Sequence, residues 1–258
     1  MVGPRVTPLP DALPFVVRRV PVFVGNLPAF QPGANYGEEI RRLHARGITG
    51  RGVGIAIIDQ PLLASHREFT GRLRWYDEID VETGDRAGWH STAVASIAVG
   101  NTIGVAPEAD LYFIGIGMIY NRELPDNFVV GFRRAAHTGQ PIAVAIRRIL
   151  AMNKRLDEGR KIRAISISIG FGPEMAWLDE TPAAVAEARA AGLFVSHLDL
   201  KLQPLGPVTV ASAAADDAYF THGIPAVSWA IPYLAGRYAL ACQERPGLRP
   251  EEFLREQK

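Results

Sequence analysis

A chain of 258 residues, 48% of them apolar and 21% charged, is long enough to bury one substantial core and has the composition of an ordinary globular domain. Its formal net charge of +1 supplies no field that would draw nucleic acid, an anionic membrane or an acidic substrate. A single cysteine, Cys242, excludes an internal disulfide and a cysteine-based zinc site.

Residues 1–35 are proline-rich without a sustained period and read as an extended arm, with a short strand at PVFVGN, ahead of one domain over 36–258. The opening MVGPRVTPLPDALPFVV has no basic segment followed by an apolar one, which predicts a cytoplasmic location, and no apolar run approaches the roughly 18 residues that span a bilayer. EEIRRLHARG predicts a helix ending at Gly47. Short β-rich runs then alternate with helical stretches. VGIAIID (53–59), LYFIGIGM (111–118), IRAISISIG (162–170), GLFVSHLDL (192–200) and VTVASAA (208–214) read as strands. Helices are predicted at 91–100, 127–138, 140–158, 181–191 and 229–243. This alternation implies an α/β fold: a doubly wound, mostly parallel central sheet with helices on both faces, in a compact single domain. Ligands of such sheets bind beyond the carboxyl ends of the strands.

Three places carry chemistry. Asp59 closes the strand IAIID, where it could orient an imidazole or simply cap a turn. His90 opens a small-residue helix in GWHSTAVASIAVG, one of six histidines in the chain. Ser228, in HGIPAVSWAIPYLAG, stands at a helix start, where the plain reading is an N-cap. The same position offers unpaired N–H groups and partial positive charge to a developing oxyanion. Pro232 is placed in the first turn of that helix, where a missing N–H is tolerated, and Gly236 allows close helix packing. Trp89 and Trp229 flank two of these residues, either as a pocket floor or as packing.

Together these stretches resemble the subtilase family, the subtilisin-like serine peptidases. GRGVGIAIID is similar to the family's strand into its aspartate. HSTAVASIAVGNTIGVAPEADLYFIGI is similar to its histidine helix and following GVAP turn, and AVSWAIPYLAG to the GTSMATPHVAG stretch around its nucleophile. The order Asp, His, Ser is also that of subtilisin, a known case of this chain order. The resemblance implies a serine endopeptidase acting through an acyl-enzyme, with Ser228 as nucleophile, His90 as general base and Asp59 as its orienting partner. Ser168, Ile169 and Gly170 of ISISIG would be the strand that pairs with an extended peptide or protein substrate. No cofactor is implied, apart from calcium, which is common in the family. The acidic cluster Asp77, Glu78, Asp80, Glu82 and Asp85 is the one place for it, and reads otherwise as a solvated loop.

The sequence also departs from the family. Asp59-Gln60-Pro61 replaces DTG, His90-Ser91-Thr92 replaces HGT, and Ala226-Val227 precedes the serine in place of Gly-Thr. The family's oxyanion-hole asparagine is missing from FVSHLDLK, where Asp199 is the nearest equivalent and His197 an alternative donor. A protonated Asp199 could donate a hydrogen bond and an ionised one would repel the oxyanion. A second reading therefore stands beside the first: a weak or inactive subtilase-like pseudopeptidase that binds a peptide or protein. A dinucleotide-binding reading fails on spacing, because GRGVG precedes its strand and GIGMIY lacks the third glycine.

Overall fold

The computed structural model describes residues 36–81, 87–121, 128–132, 140–169 and 180–257. The arm over 1–35, with its PVFVGN strand, lies outside the described residues. Five strands form the central sheet: β1 (Gly54–Asp59), β2 (Leu73–Ile79), β3 (Asp110–Ile116), β6 (Ile162–Ile167) and β7 (Phe194–Ser196). Their order is β2-β3-β1-β6-β7 and every pairing is parallel. The helices are α1 (Gly37–Ala45), α2 (Trp89–Val99), α3 (Pro141–Asn153), α4 (Thr181–Ala190), α5 (Val227–Glu244) and α6 (Pro250–Glu256). Two antiparallel hairpins complete the described elements, β4 (Met118–Asn121) with β5 (Phe128–Phe132), and β8 (Val208–Ala211) with β9 (Tyr219–His222).

All six residues of β1 are buried, as a strand covered on both faces requires. Alternate side chains point to opposite layers. Ile55 and Ile57 join Leu111 and Phe113 beneath α2 and α5, while Ala56 and Ile58 join Tyr112 and Ile114 beneath α3 and α4. The sequence expectation of a doubly wound parallel sheet with helices on both faces is met. Among the described residues no helix is long and apolar enough to cross a membrane.

Several elements differ from their expected form. The helix predicted over 127–138 is wrong at its start: Phe128–Phe132 is a strand, FVVGF, whose β-branched and aromatic residues favour the pleated backbone, and 133–139 lie outside the described residues. The run 208–214 forms a strand only over Val208–Ala211, in a hairpin with β9 and not in the parallel sheet. GLFVSHLDL is a strand only over Phe194–Ser196, after which Leu198–Leu200 turns as one 3-10 turn. β2 has no clear apolar pattern in the sequence because Arg74, Asp77 and Glu78 interrupt it; as an edge strand it keeps one side in water.

Candidate active site

β1 delivers Asp59 fully buried at its carboxyl end. α2 begins opposite it, and Nδ1 of His90 lies 3.0 and 3.1 Å from the two Asp59 carboxylate oxygens. A carboxylate accepts and does not donate, so Nδ1 carries the proton and Nε2 keeps the lone pair of a base. The backbone N–H of Gln60 donates to Asp59 Oδ1 at 2.8 Å, fixing the carboxylate. Burial depresses the pKa of His90, but the attraction and hydrogen bond of Asp59 outweigh it, and the net shift is upward.

The turn after Asp59 is stapled to the start of α2. Pro61 carbonyl accepts the Gly88 N–H at 2.6 Å and the Ser91 hydroxyl at 2.8 Å. The Thr92 hydroxyl lies 3.0 Å from the Gly88 carbonyl and accepts the Leu63 N–H at 3.3 Å. Gly88 is needed here because the Gln60 side chain crosses where a Cβ would stand. Two departures from the family pattern thus meet in one hydrogen bond: the serine that replaces glycine after His90 binds the carbonyl of the proline that replaces glycine after Asp59.

α5 places Ser228. Its N-cap is Ala226, so Ser228 is the second helical residue and not a cap. Its backbone N–H sits in the first turn, where such groups lack an intrahelical acceptor. Pro232 is the sixth helical residue, inside the helix and beyond the first turn in which it was expected. Having no N–H, it leaves the carbonyl of Ser228, four residues back, without its helical donor. Ser168, immediately beyond β6, supplies the substitute: its hydroxyl donates to the Ser228 carbonyl at 3.2 Å. The Ser196 hydroxyl at the end of β7 donates likewise to the Ile231 carbonyl at 2.9 Å. The ends of two sheet strands therefore hold the first turns of the helix that bears the serine. A Cβ on Gly236 would meet the Val105 side chain at 2.7 Å and the Ala98 carbonyl of α2 at 3.3 Å, so the glycine lets α5 pack closely, and the element it approaches is α2.

The residue after Ser228 closes the arrangement. Trp229 is buried and lies over the His90 ring at 5.6 Å with the planes 31° apart. The serine's segment and the imidazole are thereby brought to one place beside Asp59. Among the described residues no hydrogen bond joins the Ser228 hydroxyl to His90; such bonds are often long until substrate tightens them.

Asp199 does not fit the expected donor role. Its carboxylate binds Arg189 at 2.9 and 3.1 Å and stands 2.9 Å from Nε2 of His197. An ion-paired carboxylate holds no proton to give. His197 is turned to Asp199 as well, its Nδ1 accepting the Asp199 N–H at 3.3 Å, and burial first of all lowers its pKa. Ser168 and Ile169 are buried at the end of β6, and Gly170 lies outside the described residues. In the acidic cluster, Asp77 pairs with Arg148 at 2.7 Å and Glu78 accepts from the Tyr76 hydroxyl at 2.6 Å, while Glu82 and Asp85 lie outside the described residues. Among the described residues no group of three or more acidic, histidine or cysteine side chains is placed to hold a metal ion.

Comparisons with known proteins bear on the family and the fold. The model of the subtilase family matches residues 50–229, more than half of the chain. The chain belongs to the subtilase family. An extracellular serine protease of Serratia marcescens is 33% identical over 116 residues, which are 41% of this chain and 11% of that much longer protein. Among solved structures, sphericase superposes with a TM-score of 0.59 at 17% identity, covering 80% of this chain and 81% of its own. The prenylagaramide maturation protease PagA gives 0.57 at 15% identity, with 82% and 83% covered. A cold-adapted subtilisin-like serine proteinase gives 0.54 at 21% identity, with 80% of each chain covered. At these identities the likeness is one of fold.

Proposed function

We propose that this chain is a serine endopeptidase that cleaves peptide bonds through Asp59, His90 and Ser228. The observation that carries the reading is the buried Asp59 carboxylate hydrogen-bonded to Nδ1 of His90, with the Ser228 segment packed on the same imidazole through Trp229. In the first step His90 Nε2 takes the Ser228 hydroxyl proton as Oγ attacks the carbonyl carbon of an extended peptide. Collapse of the tetrahedral intermediate sends that proton to the leaving amine and leaves an ester on Ser228. Water then repeats the sequence on the ester and restores the serine.

The Ser228 N–H, in the first turn of α5, is the oxyanion donor that the helix itself supplies. Without an asparagine donor, turnover should fall about 10²- to 10³-fold below that of an enzyme with a complete hole. A fluorophosphonate probe tests the reading directly. It should label the folded protein on Ser228, and Ser228→Ala should abolish labelling together with casein hydrolysis. Folded protein that neither reacts nor hydrolyses casein would refute the assignment.

A further inference from the structure

Trp89 is the first residue of α2, next to His90, and its side chain is 44% exposed. An exposed tryptophan leaves a large apolar area in water, and this one is not free to fold away. Its ring meets His90 edge-on at 5.6 Å, Phe220 of β9 at 6.1 Å and the buried Trp229 at 6.2 Å. Three aromatic neighbours from three segments pack edge-to-face with the indole, which stays partly open to solvent.

The chemistry of the site says what passes over that surface. Asp59 occupies Nδ1, so Nε2 must deliver the proton to the departing nitrogen. The residue that owns this nitrogen has its Cα one bond further on, and its side chain falls on the groups that border the imidazole. Two tryptophans pack on the imidazole at the same 5.6 Å, Trp229 tilted by 31° and buried, Trp89 perpendicular and open. We propose that Trp89, seated on Phe220 and Trp229, is the apolar subsite for the substrate residue immediately after the scissile bond. It selects peptides that carry an apolar side chain there. The inference rests on the peptidase reading above and adds the class of substrate.

The reverse of the leaving step provides the test. An acyl-enzyme made from a peptide methyl ester partitions between water and an added amino-acid amide. The amide's amine attacks the Ser228 ester, a peptide bond forms as the serine–acyl bond breaks, and the amine proton passes through His90 to Ser228 Oγ. The amide thus occupies the place of the departing residue. Leucinamide should be captured about tenfold better than glycinamide. The preference should drop to near parity in Trp89→Ala and persist in Trp89→Phe. An unchanged preference in Trp89→Ala overturns the proposal.

A second arm needs no turnover. Phe-Ala-amide should perturb the Trp89 indole N–H resonance and bind more tightly than Gly-Ala-amide, a difference lost in Trp89→Ala. Equal binding of the two dipeptides also overturns the proposal. Failure to form any acyl-enzyme, with selective dipeptide binding retained, would sink the peptidase reading and leave the subsite standing.

Discussion

The hydroxyl of Ser168 replaces the helical hydrogen bond that Pro232 removes from the Ser228 carbonyl. The segment just beyond β6 and the helix bearing the serine are thus joined at the carbonyl whose helical donor Pro232 removes. Ser168→Ala should cost about 1 kcal/mol in chemical denaturation and lower kcat/KM severalfold by loosening the first turn of α5. Pro232→Ala restores an N–H at the right place. A double-mutant cycle should therefore show the pair coupled, with Pro232→Ala less harmful when Ser168 is already alanine. Strict additivity would mean that the two residues act independently.

The Asp59–His90 pair sets the pH dependence. The base is the neutral imidazole, and its pKa is raised above the ordinary histidine value, so kcat/KM should fall on the acid side with a midpoint above 6.5. Asp59→Asn removes the charge that raises it and permits the wrong tautomer. The acid midpoint should move down and turnover should drop about 10⁴-fold. Rates measured across pH 5 to 9 on both proteins check the direction. A midpoint that stays put in Asp59→Asn contradicts the pairing.

The linkage to stability has a definite sign. A histidine whose folded pKa is raised stabilises the fold fully below its unfolded value and loses that contribution as pH climbs through the folded value. Denaturation midpoints of the parent should therefore decline relative to His90→Gln as pH rises from about 6 through the folded pKa.

Ser91 is expected to act on activity without touching substrate. Its hydroxyl reaches both the Pro61 and Gly88 carbonyls at 2.8 Å, so Ser91→Ala should cost about 1 kcal/mol and shift the His90 acid midpoint. Ser91→Thr, which keeps the hydroxyl, should restore the midpoint more fully than the stability, since its extra methyl enters a packed helix face.

Glu68 provides a contrast away from the triad. Its buried carboxylate accepts the Tyr219 hydroxyl, the Thr102 hydroxyl and the Thr102 N–H, tying the start of β9 to the turn after α2. Glu68→Ala orphans these donors and should cost about 2–4 kcal/mol, read by thermal unfolding, with His90's pH midpoint unchanged.

How much of this the sequence discloses depends on the range of the interaction. Strands β1, β3 and β6 are legible because burial on both faces makes them continuous apolar runs. Edge strand β2 is hidden by its charged outward side, and at Phe128–Phe132 a five-residue apolar run does not tell helix from strand. Asp59, His90 and Ser228 stand out through the segments that surround them. The Ser91–Pro61 and Ser168–Ser228 hydrogen bonds join residues 30 and 60 positions apart, and nothing local marks either partner. Where Pro232 falls in α5 depends on where the helix starts, and that start is set by the chain entering from Ala226. The ion pair of Asp199 with Arg189 likewise depends on how the turn after β7 meets α4.

From Ser91 to Val99 every residue of α2 is buried, on all sides of the helix. The rod that carries the imidazole has no face along which it can slide or fray while the rest of the molecule stays intact. Its amides should exchange with solvent only when the whole domain opens. Heat should then erase chemistry and architecture in a single step, and adaptation to cold or warmth would fall to the surrounding turns and not to the rod.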